Sequence, residues 1–234
     1  MNHPMYPITS VSEMLLKHTA NPQKSNRRPY FFSVTALLSD PRFVKAAEEI
    51  LTLKPFHQIA VENKFWHFTV LPLVKIEDSP VAETMEEYAL RLFDESQPSI
   101  GKVTLSRPIH IQLYEWHCYD SGLCPQFKST DGSLNEVRDN LRESLKKTHD
   151  RLASHKGVES ELKERNGKNS GDRCFGSIAR AMCEAYPAEI RWKQKAVEEI
   201  EIQFDEVYLL VSDEYLSNPC AHNPAKRVPI AVQS

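Results

Sequence analysis

An aromatic and β-branched run, Tyr30-Phe31-Phe32-Ser33-Val34-Thr35-Ala36-Leu37-Leu38, halts at Ser39-Asp40-Pro41 and gives way to apolar residues at helical spacing. The run predicts a buried strand and its stop predicts a helix start. Asp40 suits the N-cap, Pro41 suits the first helical position, and Phe43, Ala47, Ile50 and Leu51 fall on one face, with Pro55 expected to close the helix. The unit then repeats, with a strand predicted over residues 65–71 and a helix beginning at Ser79-Pro80 whose stripe is Val81, Met85, Tyr88, Ala89 and Leu92. A chain that switches between these two periods must lay helices against sheet to bury both.

Further along, Ile109, Ile111 and Leu113 alternate with His110, Gln112 and Tyr114, which predicts a half-buried strand at the end of residues 102–117. Ser133-Leu134-Asn135-Glu136 has the form of a capping box, and Leu134, Val137, Leu141, Leu145 and Leu152 continue a long helical stripe. The polar run 163–172, with Gly167 and Gly171, predicts an exposed loop. A short strand through residues 174–180, a helix running to Trp192, a long strand over 199–212 bent near Phe204 and an edge strand within 227–232 complete the reading. Each half of the chain thus supplies strand, helix, strand and helix. The expected fold class is α+β: two pseudo-symmetric lobes of mixed or antiparallel sheet with outer helices and a cleft between them. Residues 1–29, polar and broken by Pro4, Pro7, Pro22 and Pro29, are expected to form an N-terminal arm, leaving 30–234 as a single two-lobed domain.

Composition narrows the function. Lys and Arg number 29 against 32 Asp and Glu, a formal charge of −3, which argues against a protein that grips long duplex nucleic acid over its whole surface. A short nucleotide stays open as partner. The five cysteines never form a Cys-x-x-Cys pair, so neither a disulfide framework nor a zinc site is signalled. No stretch reaches the ~18 uninterrupted apolar residues of a membrane helix, and a cytoplasmic protein without membrane contact is expected.

His67-Phe68-Thr69 is the first candidate for chemistry, because residues two apart on a strand share a face and set an imidazole beside a hydroxyl. Such a pair can move a proton and hold a phosphoryl oxygen. The bland alternative is a core or surface histidine. A second short segment, Phe175-Gly176-Ser177-Ile178-Ala179-Arg180, places Phe175 and Ser177 at the same spacing. Phe175 can equally pack in the core, and Ser177 can equally be a small residue beside a close neighbour.

A strand with His-x-Thr-Val, a helix, a strand, a long helix, a short strand ending Ser-Ile-Ala-Arg and a last strand Phe-Asp-Glu-Val-Tyr-Leu-Leu-Val-Ser follow one another over about residues 30–215. In this order the chain resembles the two-histidine phosphoesterase superfamily, which includes bacterial 2'-5' RNA ligases and cyclic phosphodiesterases. The resemblance implies two His-x-Thr/Ser motifs facing each other across a cleft. One histidine activates water or a hydroxyl, the other protonates the leaving ribose oxygen, the hydroxyls hold the phosphate, and neither metal nor cofactor is needed. The first motif maps onto His67 and Thr69. In the second, Ser177 matches the hydroxyl while Phe175 stands where the imidazole belongs, so this motif is degenerate. The resemblance therefore implies a catalytic His67, with Thr69, Ser177 and Phe175 binding substrate, and a small phosphodiester or cyclic nucleotide as ligand. The alternative is a non-catalytic binding or sensor module for a phosphorylated nucleotide.

Other residues carry weaker signals. Cys174 and Arg180 are expected on the face opposite Ser177, and His110 either lines the same cleft or faces water. His117, Cys118 and Cys124 lack the converging ligands of a metal site, and buried or idle thiols are the expectation. Glu86, Glu87, Glu143 and Glu198 have solvent-face spacing and are given no acid–base role.

Overall fold

The computed structural model describes residues 29–53, 66–80, 82–119, 122–162, 172–180, 192–213 and 227–233, without the side chains of Tyr119, Ser177, Arg180, Trp192, Val197 and Asp213. Residues 1–28 of the expected 1–29 arm, the closing Pro55, residues 163–171 of the expected 163–172 loop and the helix approaching Trp192 lie outside the described residues.

Strand β1 (Tyr30–Leu37) leads into helix α1 (Pro41–Leu51), whose N-terminus is capped by the Asp40 carboxylate accepting from the backbone N–H groups of Arg42 and Phe43. Phe43, Ala47 and Leu51 are its buried face. The Phe43 ring packs 5.7 Å from Phe127, 5.9 Å from Trp116 and 6.0 Å from Trp66, the kind of aromatic cluster that anchors a helix on a sheet. Strand β2 (His67–Ile76) pairs antiparallel with β1, register shifts at Phe32/Ser33 and Val34/Thr35 absorbing Pro72 at an exposed position. Helix α2 (Met85–Ile100) lies on the Phe32 face of β1, with Phe32 and Phe93 stacked at 6.2 Å.

The second half opens with a hairpin, β3 (Ile109–Tyr119) and β4 (Gly122–Ser129), followed by helix α3 (Ser133–Ala153), which lies along β2 and β3. The short β5 (Val158–Ser160) pairs with the end of β2. Then come β6 (Arg173–Ser177), β7 (Ala179–Arg180), β8 (Trp192–Phe204), β9 (Glu206–Asp213) and β10 (Val228–Ala231). The fold is α+β. Every pairing between named strands is antiparallel, in the order β10-β9-β1-β2-β6-β4-β3-β8.

Strand β6 joins the two halves. Its residues Arg173, Cys174 and Phe175 pair with β4, while Gly176 and Ser177 pair with Phe68 and His67 of β2. Beyond that contact β2 parts from β6, and its freed backbone groups find other partners: Arg138 Nε donates to the Val70 carbonyl (2.8 Å) and the Glu161 N–H donates to the Leu73 carbonyl (2.9 Å).

Five expectations are corrected. Helix α2 begins after Thr84 rather than at Ser79-Pro80, because Thr84 and Glu87 form a reciprocal capping box, whereas the Ser79 hydroxyl donates to the Glu83 carbonyl in the preceding turn. No capping box forms at 133–136. Gly132, in the left-handed region at φ 77°, is the N-cap, and Ser133 is buried inside the first turn, its Oγ accepting from the His110 N–H (2.8 Å). The run 199–212 is two strands broken at Asp205, and β8 already starts at Trp192. Strand β4 replaces the simple strand–helix alternation expected of the second half. Gln112, expected on the polar side, is 8% exposed, with its Nε2 donating to Glu199 (2.8 Å). Among the described residues no helix is long and apolar enough to cross a membrane.

Candidate functional site

His67 and Thr69 stand two residues apart on β2, both half-buried, and their partners on β1 are Leu37 and Thr35. Thr35 is 1% exposed, its hydroxyl donating to the Tyr208 carbonyl (3.4 Å). On the other side of His67 the register partner is Ser177 of β6. Phe175, two residues back from that position, shares the face of His67, opposes Gln126 of β4 and is 54% exposed. An imidazole, a hydroxyl-bearing residue on the same strand and a partly exposed phenyl ring thus meet where the two halves join.

Gly176 makes the junction close. A Cβ there would sit 2.8 Å from Leu38 Cδ1 and 2.9 Å from the His67 carbonyl oxygen, so only a residue without one lets β6 lie against β2 at this point.

Past Phe175 the same face becomes basic. Arg173 and Lys128, both exposed, are directly opposed across β6 and β4, and the Arg173 guanidinium lies 5.7 Å from the centre of the Tyr114 ring. Burial raises the Tyr114 phenol above its ordinary pKa, against the lowering effect of Arg173. Neither cation emerges from sequence reasoning, because their opposition depends on β4. The signal that could have found Arg173 is its alternation with Phe175 and Ser177.

The remaining candidates separate. Cys174 faces the interior, and burial pushes its thiol up to about 12. Arg180 opposes Gly122 in the β7–β4 pairing. His110 sits on β3 opposite Gln203 and is not brought to His67. His117 opposes Cys124 across the β3–β4 hairpin, while Cys118 and Cys124 are buried. Among the described residues no cluster of three His, Cys, Asp or Glu side chains is placed to hold a metal ion. Glu86, Glu143 and Glu198 are exposed, and Glu87 is engaged with Thr84, whose backbone and hydroxyl hold its carboxyl below the usual carboxylate range.

No protein-family model matches the chain, and no curated protein matches it. Among solved structures, the chain is similar to TT0787 of Thermus thermophilus, with 16% identity, 88% of this chain and 95% of that chain covered, and a TM-score of 0.42. It is also similar to a phosphoesterase (12% identity, 88% and 96% covered, TM-score 0.40) and to E. coli LigT complexed with NADP+ (12% identity, 89% and 96% covered, TM-score 0.37).

Proposed function

We propose that the protein binds and slowly hydrolyses a small phosphodiester or cyclic nucleotide of the 2',3'-cyclic phosphate type at the junction of β2 and β6. The observation that carries this reading is the register pairing of His67 with Ser177, two strands distant in sequence converging on one face with Thr69 and Phe175. His67 takes the proton of an attacking water, one ribose oxygen–phosphorus bond breaks, Thr69 and Ser177 hold the phosphate oxygens, and solvent returns a proton to the leaving oxygen. The reading needs neither metal nor cofactor. Absence of a second proton carrier at position 175 lowers the rate by about 100- to 10,000-fold against a site with two.

The test is turnover across a panel of 2',3'-cyclic nucleotides with His67→Ala beside the wild type. Loss of turnover by about 100-fold or more is expected, and turnover that survives the substitution removes His67 from its role. The exposed ring at position 175, where an imidazole would serve catalysis, favours a second reading as a binding or sensor module. Calorimetry that finds binding with no product formed selects that version.

A further inference from the structure

We infer that Ser160, His149 and Asp150 form a catalytic site separate from the β2–β6 junction, at which Ser160 accepts the acyl group of small neutral carboxylic esters. This goes beyond the phosphodiester reading and does not depend on it. Ser160 pairs with Val74, seven residues and about 23 Å along β2 from His67.

His149 belongs to the buried face of α3 and is 9% exposed, so packing limits the positions its ring can take. Asp150 Oδ1 stands 3.0 Å from its Nδ1, and the Ser160 Oγ stands 2.8 Å from its Nε2. A carboxylate only accepts, so Nδ1 carries the ring proton and Nε2 is left to accept from the Ser160 hydroxyl. Nucleophile, base and orienting carboxylate are thus in the order that activates a serine. Ser160 is exposed on β5, which lets an ester carbonyl approach from solvent.

Strand register supplies a donor for the oxyanion that forms. The Glu161 N–H donates to the Leu73 carbonyl (2.9 Å) and the Glu77 N–H to the Gly157 carbonyl (2.8 Å), which fixes the alternation of hydrogen-bonded pairs along β2 and β5. Ser160 falls between those pairs. Its own N–H therefore points away from β2, toward the side of β5 with which no described strand pairs. Glu159 and Glu161 flank the serine and disfavour an anionic acyl group. In the reaction the Ser160 oxygen bonds to the carbonyl carbon as its proton passes to Nε2. The ester C–O bond breaks, the leaving alcohol takes that proton, and water then attacks the acyl-serine by the same route to release the acid.

The test treats the full chain with a fluorophosphonate, whose phosphorus traps a nucleophilic serine as fluoride leaves, and follows hydrolysis of p-nitrophenyl acetate. Peptide mass spectrometry is expected to find the phosphonyl group on Ser160. His149→Gln, which keeps a polar group toward Ser160, should slow both labelling and hydrolysis by about 100-fold or more. Ser160→Ala should abolish the hydrolysis. Asp150 is a positioning residue, so Asp150→Asn should lower kcat and leave KM unchanged, by less than His149→Gln because its side chain is 61% exposed. A wild type without an adduct on Ser160 overturns the inference, as does labelling that His149→Gln leaves at the wild-type rate. Should His149→Gln fail to fold, the other two variants decide, and a wild-type kcat in either one overturns the inference.

Discussion

Cys174 and Phe175 are adjacent in the chain and opposite in surroundings, 4% and 54% exposed. Transfer free energy alone would reverse them, since burying a phenyl ring stabilises by about 2–3 kcal/mol. Strand register decides instead: pairing Phe175 with Gln126 and Ser177 with His67 fixes which parity faces inward, and a slip of one residue would turn every side chain of β6 over. The thiol carries the consequence. Burial pushes Cys174 up to about 12, so near pH 8 only about one molecule in 10,000 holds the reactive thiolate there. Iodoacetamide applied to the folded protein at that pH should leave Cys174 unmodified over a time in which the urea-unfolded chain is fully alkylated, as read by peptide mass spectrometry. Rapid labelling in the folded state would mean that the two faces of β6 are assigned the wrong way round.

At the scale of elements, the caps behave differently although their sequences look alike. Asp40 is a true N-cap: its hydrogen bond with the Arg42 side chain and those it accepts from the Arg42 and Phe43 backbone hold its carboxyl below the ordinary value, against a smaller opposing effect of burial. Asp40→Ala should cost about 1 kcal/mol in denaturant unfolding at neutral pH. Because the folded-state pKa is the lower one, that contribution is present above about pH 4 and fades as pH falls through the depressed value, so wild type and variant should converge in acid. Ser133→Ala should cost about 1–3 kcal/mol by orphaning the His110 N–H, and since the Ser133 hydroxyl also helps hold the Asp131 carboxyl below its usual range, that second part fades in acid while the cost of the orphaned N–H remains, so convergence is only partial. A shared pH profile for the two variants would contradict this division. The same contrast explains what the sequence could show. The cap and stripe of α1 are local signals, as is the common face of His67 and Thr69, two residues apart. Strand β4 contains Gly122 and Pro125, both poor strand formers, and exists because β3 and β6 pair with it on either side. The break at Asp205 is likewise imposed from outside, β8 pairing with β3 and β9 with β1. The opposition of His67 and Ser177 depends on one strand changing partners, which no local pattern encodes.

The whole molecule hinges on that change of partners, since β6 is the one strand that the order β2-β6-β4 places between the two halves. Gly176 is its tightest point. Added to this position, a methyl group meets a leucine side chain that can swing aside and the His67 carbonyl oxygen, which cannot move without carrying His67 with it. Gly176→Ala should therefore destabilise by about 1–3 kcal/mol and separate the groups of the candidate site, so ligand affinity falls in protein that is still folded. A control is needed for general loss of stability. Gly157 provides it: at φ 74° and with a Cβ that would lie 2.3 Å from the Asp78 carbonyl oxygen, Gly157→Ala is also destabilising, but its strain falls at the turn between α3 and β5. With both variants held well below their melting temperatures, hydrogen exchange should quicken around Phe68 and Gly176 only in Gly176→Ala, and nucleotide binding should weaken only there. Equal binding by the two variants would mean that the junction joins the sheets without shaping the site.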